Sequence, residues 1–234
     1  MQTKLINISR RKSDGVLLEK GFFVEPHRWQ NFIEPMLMNI LRSHIENDDR
    51  SFYFWNIGGG GSGQDSYSFV FLLNQCLINL GENPDNWTKH LLVSEQAEQR
   101  TASAKKGLYT FNHLAPASDD EKESPRAWLN KANPFHSLLI KYGDITEDSY
   151  TVKESIRNSI DFSTENVMDR ISGSTKNPEN FDVVFMNAVI HYFNLENLLK
   201  VLNFVQQSMK PIGLLCIDYA PTPTKGLLEL QSLK

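Results

Sequence analysis

Ser51-Phe-Tyr-Phe-Trp-Asn-Ile57 runs directly into Gly58-Gly-Gly-Gly-Ser-Gly63, and Gln64-Asp-Ser-Tyr-Ser68 follows. The first stretch is aromatic and β-branched, which predicts a strand, and the glycines end it in a loop. Tyr67 to Leu80 then reads as an apolar helix closed by Gly81, with Asn83-Pro84-Asp85 as the next turn. A strand, a glycine loop and a helix in that order form a unit in which a ligand can approach the backbone closely.

Upstream, apolar residues recur at Trp29, Phe32, Ile33, Leu37, Ile40 and Leu41, which predicts one buried face of a helix over 25–44 with Pro26 near its start. Downstream, His90-Leu-Leu-Val-Ser-Glu95 reads as a second strand ending on an acid, and Gln96 to Lys106 as a helix stopped by Gly107. Residues 113–126 are polar and contain proline, and Tyr150 to Phe162 partly alternates, so 110–162 reads as a small inserted lobe. Phe181 to Phe185 and Gly213 to Ile217 read as buried strands flanking a helix over Leu195 to Met209. Alternating strands and helices predict an α/β fold, a parallel sheet with helices on both faces.

Composition narrows the function. Hydrophobic residues make up 40% and charged residues 22% of 234 residues, the balance of a globular domain. A formal charge of -4 does not supply the basic surface that nucleic acid requires. Nucleic acid is therefore not an expected partner. No apolar run approaches the roughly 18 residues of a membrane span, so no membrane insertion is expected and a cytoplasmic location is. The two cysteines, Cys76 and Cys216, lie in apolar runs and read as small core residues, with no metal site.

Ligands of a doubly wound sheet bind beyond the carboxyl ends of its strands. Gly58 to Gly63 occupies that place, and Glu95 ends the second strand where an acid can accept hydrogen bonds from ribose hydroxyls. The pair suggests a cofactor containing adenosine. The spacing from Gly58 to Glu95 is longer than the roughly 20 residues of dinucleotide binders, and no glycine-lysine-serine/threonine ending marks a phosphate loop.

Trp55-Asn-Ile-Gly-Gly-Gly-Gly-Ser-Gly-Gln-Asp-Ser-Tyr-Ser68 resembles, with one residue inserted, the signature W-x-x-G-C-S-T-G-E-E-x-Y-S of the chemotaxis-receptor methyltransferases, the CheR family. Gly21-Phe-Phe23, Lys106-Gly-Leu-Tyr109, Tyr150 to Met168 and Phe181 to Asp218 resemble the same family in the same order. The resemblance spans about residues 18–218 and implies a class I S-adenosylmethionine (SAM) methyltransferase, a Rossmann-like sheet. It further implies SAM as cofactor, S-adenosylhomocysteine as product, and a protein side chain as methyl acceptor. On this basis residues 1–48 form an N-terminal helical segment and 49–234 a methyltransferase-like domain carrying the lobe at about 110–162.

The resemblance assigns cofactor contacts to Gly58, Gly60, Gly63, Asp65, Glu95, Asn166, Val167 and Asn187. Asp65 takes the place of the acid in the glycine loop, Glu95 that of the ribose-binding acid, and Asn166-Val-Met168 that of the segment beside adenine. Tyr192 matches a tyrosine near the transferred methyl group, and the adjacent His191 is placed to remove a proton if the acceptor is an amine or hydroxyl. Two arginines of the family pattern are replaced. One becomes Val24, and an Arg-Asn pair becomes Asn187-Ala188, so a guanidinium clamp for a carboxylate is missing at both places. The family's closing β-hairpin is not evident after Tyr219. A methyltransferase is the leading reading; the alternative is a member without catalysis, acting as a cofactor sensor or protein-interaction module. A scaffold that binds no cofactor is a third class.

Overall fold

A computed structural model of the chain describes residues 5–9, 22–23, 26–59, 63–110, 129, 131–173, 180–187 and 189–219. The strands described are β1 (Leu5–Ser9), β2 (Ser51–Ile57), β3 (Thr88–Glu95), β4 (Leu108–Thr110), β5 (Gly143–Ile145), β6 (Ser149–Val152), β7 (Ile160–Thr164), β8 (Phe181–Met186) and β9 (Met209–Tyr219). Six of them form one sheet in the order β1-β9-β8-β2-β3-β7. Every pairing within it is parallel. The chain order reverses direction across the sheet between β2 and β8, so loops diverge there and leave a crevice at the carboxyl ends.

Side chains alternate between two cores along each strand, as the period of a pleated strand demands. Phe52 and Phe54 of β2, Val93 of β3, Val183 and Phe185 of β8 and Cys216 of β9 enter one core. Trp55, Ile57, Leu92, Val184, Met186 and Leu215 enter the other. Strands buried on both faces are the mark of a sheet covered by helices on each side. The first face is covered by α2 (Glu34–Glu46) and α3 (Gln64–Asn79), which bring Leu37, Ile40, Leu41, Phe69 and Leu73 into that core. The second is covered by α8 (Leu195–Gln207), through Leu198, Val201 and Val205. Burial pushes the Cys76 and Cys216 thiols up to about 12, which leaves both as core residues and not nucleophiles.

The helix expected over 25–44 is broken into three pieces. A short α1 (Pro26–Arg28) leads into a π-helical turn, Trp29–Ile33, and then α2. Pro35 supplies the reason: it has no N–H for the carbonyl a turn earlier, and its ring crowds that turn, so the backbone widens. The N–H of Glu34 instead reaches back to Trp29 O. Residues 1–48, expected to be helical, also contain β1, which pairs with β9 from Leu5↔Leu215 to Ser9↔Tyr219. That pairing follows from the length of β9, which outruns the expected 213–217 and presents an edge for a short β-branched segment to cover.

The lobe holds a separate antiparallel sheet, β4-β6-β5. Ile160 to Thr164, read within or just after the lobe, is β7 of the main sheet, paired with β3. It was hidden because its five residues are half polar, as suits an edge strand. Among the described residues no helix is long and apolar enough to cross a membrane.

Candidate functional site

A cavity of about 520 Å³ opens at the carboxyl ends of β2, β3, β7 and β8, within the roughly 300–1,000 Å³ usual for small-molecule sites. Glu95, Arg100, Glu165, Asn166 and Val167 line it from the segments after β3 and β7, and Gly58, Asn187, Val189 and Tyr192 from those after β2 and β8, so by strand order the β3/β7 and β8 groups form its two ends.

The glycine loop leaves β2 through Gly58, at φ 67°, where a Cβ would overlap the Val189 side chain. Only glycine tolerates both that conformation and that approach. The N–H groups of Gly58 and Gly59 both turn onto Ser94 O, at 2.7 and 3.1 Å, so they pin the loop to β3. Gly63, at φ 72°, is the N-cap of α3 and lies outside the cavity wall. Gly60 lies outside the described residues.

Glu95 is 9% exposed, and its Oε1 accepts the Ala97 N–H at 3.0 Å. Among the described residues, Oε2 has no hydrogen-bond partner. A buried carboxylate with spare acceptor capacity on a cavity wall suits a pair of hydroxyls. Asn166 Oδ1 accepts the Met168 N–H at 2.9 Å and so caps α7 (Val167–Gly173). That bond orients the amide and reserves its Nδ2 as a donor beside Val167. A second chain of bonds runs through the wall at this end. Trp55 Nε1 donates to Ser94 Oγ at 2.7 Å, Ser94 Oγ donates to Glu165 Oε1 at 2.6 Å, and Arg170 Nε donates to the same oxygen at 2.9 Å. The Arg170 guanidinium also stacks over the Trp55 ring at 5.4 Å. β2, β3, the turn after β7 and α7 are thereby tied together at the cavity wall.

At the other end, Asn187 follows β8 and has both ends of its amide engaged. Arg28 Nη2 donates to Asn187 Oδ1 at 2.9 Å, and Asn187 Nδ2 donates to Asp65 Oδ2 at 3.0 Å. Asp65 sits in the first turn of α3, where a helix N-terminus favours negative charge, one bond behind the wall. Tyr192 stands at the rim, 69% exposed, on the short 3-10 turn Ile190–Tyr192. The side chain of His191, and Val24 and Ala188 altogether, lie outside the described residues.

The structure therefore brings Gly58, Glu95, Asn166, Val167, Asn187 and Tyr192 onto one cavity and sets Gly63 and Asp65 behind it. Sequence reasoning missed Arg28, Ser94, Arg100 and Glu165. Ser94 and Glu165 adjoin residues already singled out, so position along the chain was the available signal. Arg28 meets a partner 159 residues away and gave none.

SAM fits this donor set. A carboxylate and an amide with apolar Ile57, Val167 and Val189 suit a nucleoside, and a carboxylate behind Asn187 suits an ammonium group.

Among solved structures, the mitomycin 7-O-methyltransferase MmcR is 13% identical, covering 76% of this chain and 35% of that one with a TM-score of 0.35. An S-adenosylmethionine-dependent methyltransferase from Clostridium acetobutylicum is 10% identical, covering 83% and 55% with a TM-score of 0.32. Similarity that low carries no weight beside this chain's own strand order. The chemotaxis protein methyltransferase of Salmonella typhimurium is 22% identical over 199 residues, which cover 80% of this chain and 62% of that protein. The chain thus spans less than two thirds of that relative. The family model for the CheR methyltransferase, SAM binding domain, matches residues 19–220, and the chain belongs to that family.

Proposed function

We propose that this chain transfers a methyl group from SAM to a side chain of a protein. The observation that carries the reading is the cavity at the strand ends, with Glu95 at one end and the Asn187–Asp65 pair at the other. A ligand with a nucleoside and an amino-acid end spans the two. Bound SAM supplies a methyl group on a sulfonium, open to in-line displacement. The chain's own part is to align and to exclude water, a contribution of up to about 7–11 kcal/mol for well-oriented reactants.

In this reading Glu95 holds the ribose, Asn166 and Val167 flank the base, and Asp65 receives the ammonium. Gly58, with Gly60 and Gly63, keeps the intervening loop close. Tyr192 lines the approach of the acceptor, whose carboxylate needs no base; for an amine or hydroxyl, His191 would take the proton. The lobe is the proposed contact for the acceptor protein, supported by Leu108 and Ile145, 48% and 44% exposed on its two outer strands.

Calorimetric titration with SAM and S-adenosylhomocysteine tests the reading first, and tritium transfer from labelled SAM to lysate proteins tests it second. Micromolar binding with transfer supports it. Binding without transfer to any protein converts it to a cofactor sensor, and no binding removes the pocket assignment.

A further inference from the structure

The cofactor's amino-acid end is a zwitterion, yet both family arginines are replaced in this sequence. A buried guanidinium nevertheless reaches a residue of the cavity wall. Arg28 is 2% exposed, on the short α1, and donates through Nη2 to Asn187 Oδ1 at 2.9 Å. Its charge acts within the core beneath the site, where it opposes the burial-driven rise of the Cys216 thiol on β9.

An unrestrained asparagine amide can turn over, exchanging its oxygen for its nitrogen. Arg28 forbids this. A guanidinium has donors and no acceptor, so it holds Oδ1 and turns Nδ2 toward Asp65, whose Oδ2 accepts at 3.0 Å. The carboxylate is then fixed by one oxygen, and among the described residues the other accepts no hydrogen bond. Reversal of the amide would set Asn187 Oδ1 against Asp65 Oδ2, acceptor against acceptor. The result is a cation–amide–carboxylate series, with Asn187 lining the cavity at the end opposite Glu95.

We propose that Arg28 is a positioning residue which, through Asn187, sets Asp65 to select ligands with a zwitterionic amino-acid end over the bare nucleoside thioether. The proposal rests on the cofactor reading above. It does not require Arg28 to touch the ligand.

The test is calorimetry with two probes, S-adenosylhomocysteine and 5′-methylthioadenosine, which shares the adenosine and lacks the amino acid. Wild-type titration with both decides the cofactor reading by itself, since binding of neither overturns that reading and the inference with it. With wild-type binding established, Arg28→Ala is expected to weaken S-adenosylhomocysteine by about tenfold, the scale of a lost charge-assisted bond. Methylthioadenosine affinity should stay within about twofold of wild type. Equal loss for both probes, or none for either, overturns the proposal.

Arg28→Lys keeps the charge without the planar fork and serves if the alanine variant folds poorly; it should show the same selective loss, smaller in size. In an Asn187→Ala background, Arg28→Lys should add nothing further to the selectivity. A full additive loss there would show that Arg28 does not act through Asn187 and would overturn the proposed route.

Discussion

At the amino ends of the strands, Asp182 of β8 is 1% exposed and its carboxylate is surrounded. His44 Nε2 lies 2.7 Å from Oδ1, Lys210 Nζ 3.1 Å from Oδ2, and the Tyr53 N–H donates to Oδ2 at 2.8 Å. At the carboxyl ends, Glu95 is nearly as buried, 9% exposed, but it lines a cavity and its carboxylate accepts a single N–H, at Oε1. Burying an acid is costly unless its acceptors are filled. The protein fills them from itself at one end of the sheet; at the other, among the described residues, it leaves acceptor capacity on a cavity wall, where the proposed cofactor would use it. Equal burial therefore goes with very different numbers of partners.

The largest expected effect lies at the saturated end. Asp182→Ala leaves the Lys210 ammonium and the His44 ring facing an empty site, and should cost roughly 3–5 kcal/mol of stability. Urea unfolding measures it, and the folded fraction should bind S-adenosylhomocysteine as wild type does. A loss of affinity in the folded protein would break the contrast by showing that the two ends are coupled.

Glu95→Gln is the counterpart. It removes a charged acceptor of ligand hydroxyls, worth about 1.5–3 kcal/mol, so S-adenosylhomocysteine affinity should fall roughly 10–150-fold. The thermal midpoint without ligand should hardly move, since the Ala97 N–H keeps an acceptor. A midpoint that falls as far as that of Asp182→Ala would place Glu95 among the structural acids.

What the sequence disclosed follows the same division. The glycine loop, the acid ending β3 and the amide before α7 are local features, so Gly58, Glu95 and Asn166 could be placed from spacing and resemblance before any contact was known. The aromatic and β-branched run of β2 likewise announced a strand. What stayed hidden depends on distant partners. Arg28 looks like a surface cation at the start of a helix and is instead the buried neighbour of Asn187. Residues 160–162 read as the end of a lobe because the strand character of 160–164 is completed by pairing with β3. Pro35 was legible, but its consequence, the π turn over Trp29–Ile33, required the backbone.

Ser94→Ala tests an intermediate case, a buried serine on the cavity wall whose hydroxyl both accepts from Trp55 and donates to Glu165. Its removal leaves the indole N–H without its acceptor, a penalty of about 1–3 kcal/mol. Ligand affinity should fall too, by a few-fold, because the Glu165 carboxylate loses one of its two side-chain bonds beside Asn166. A stability loss with unchanged affinity would confine the chain of bonds to a structural role.

The smallest effect on fold and cofactor belongs to the rim. Tyr192 is 69% exposed, so Tyr192→Ala should change stability by less than about 0.5 kcal/mol and S-adenosylhomocysteine affinity by less than about twofold. Methyl transfer to the acceptor is where its loss should register, because a ring at the mouth can orient an incoming side chain without touching the buried cofactor groups. Separate measurement of transfer rate and of ligand affinity distinguishes the two sides of the cavity. If affinity falls in parallel with transfer, Tyr192 belongs with Glu95 and Asn187 on the cofactor side. If transfer alone falls, the cavity is divided between a buried wall that holds the donor and an exposed rim that receives the acceptor.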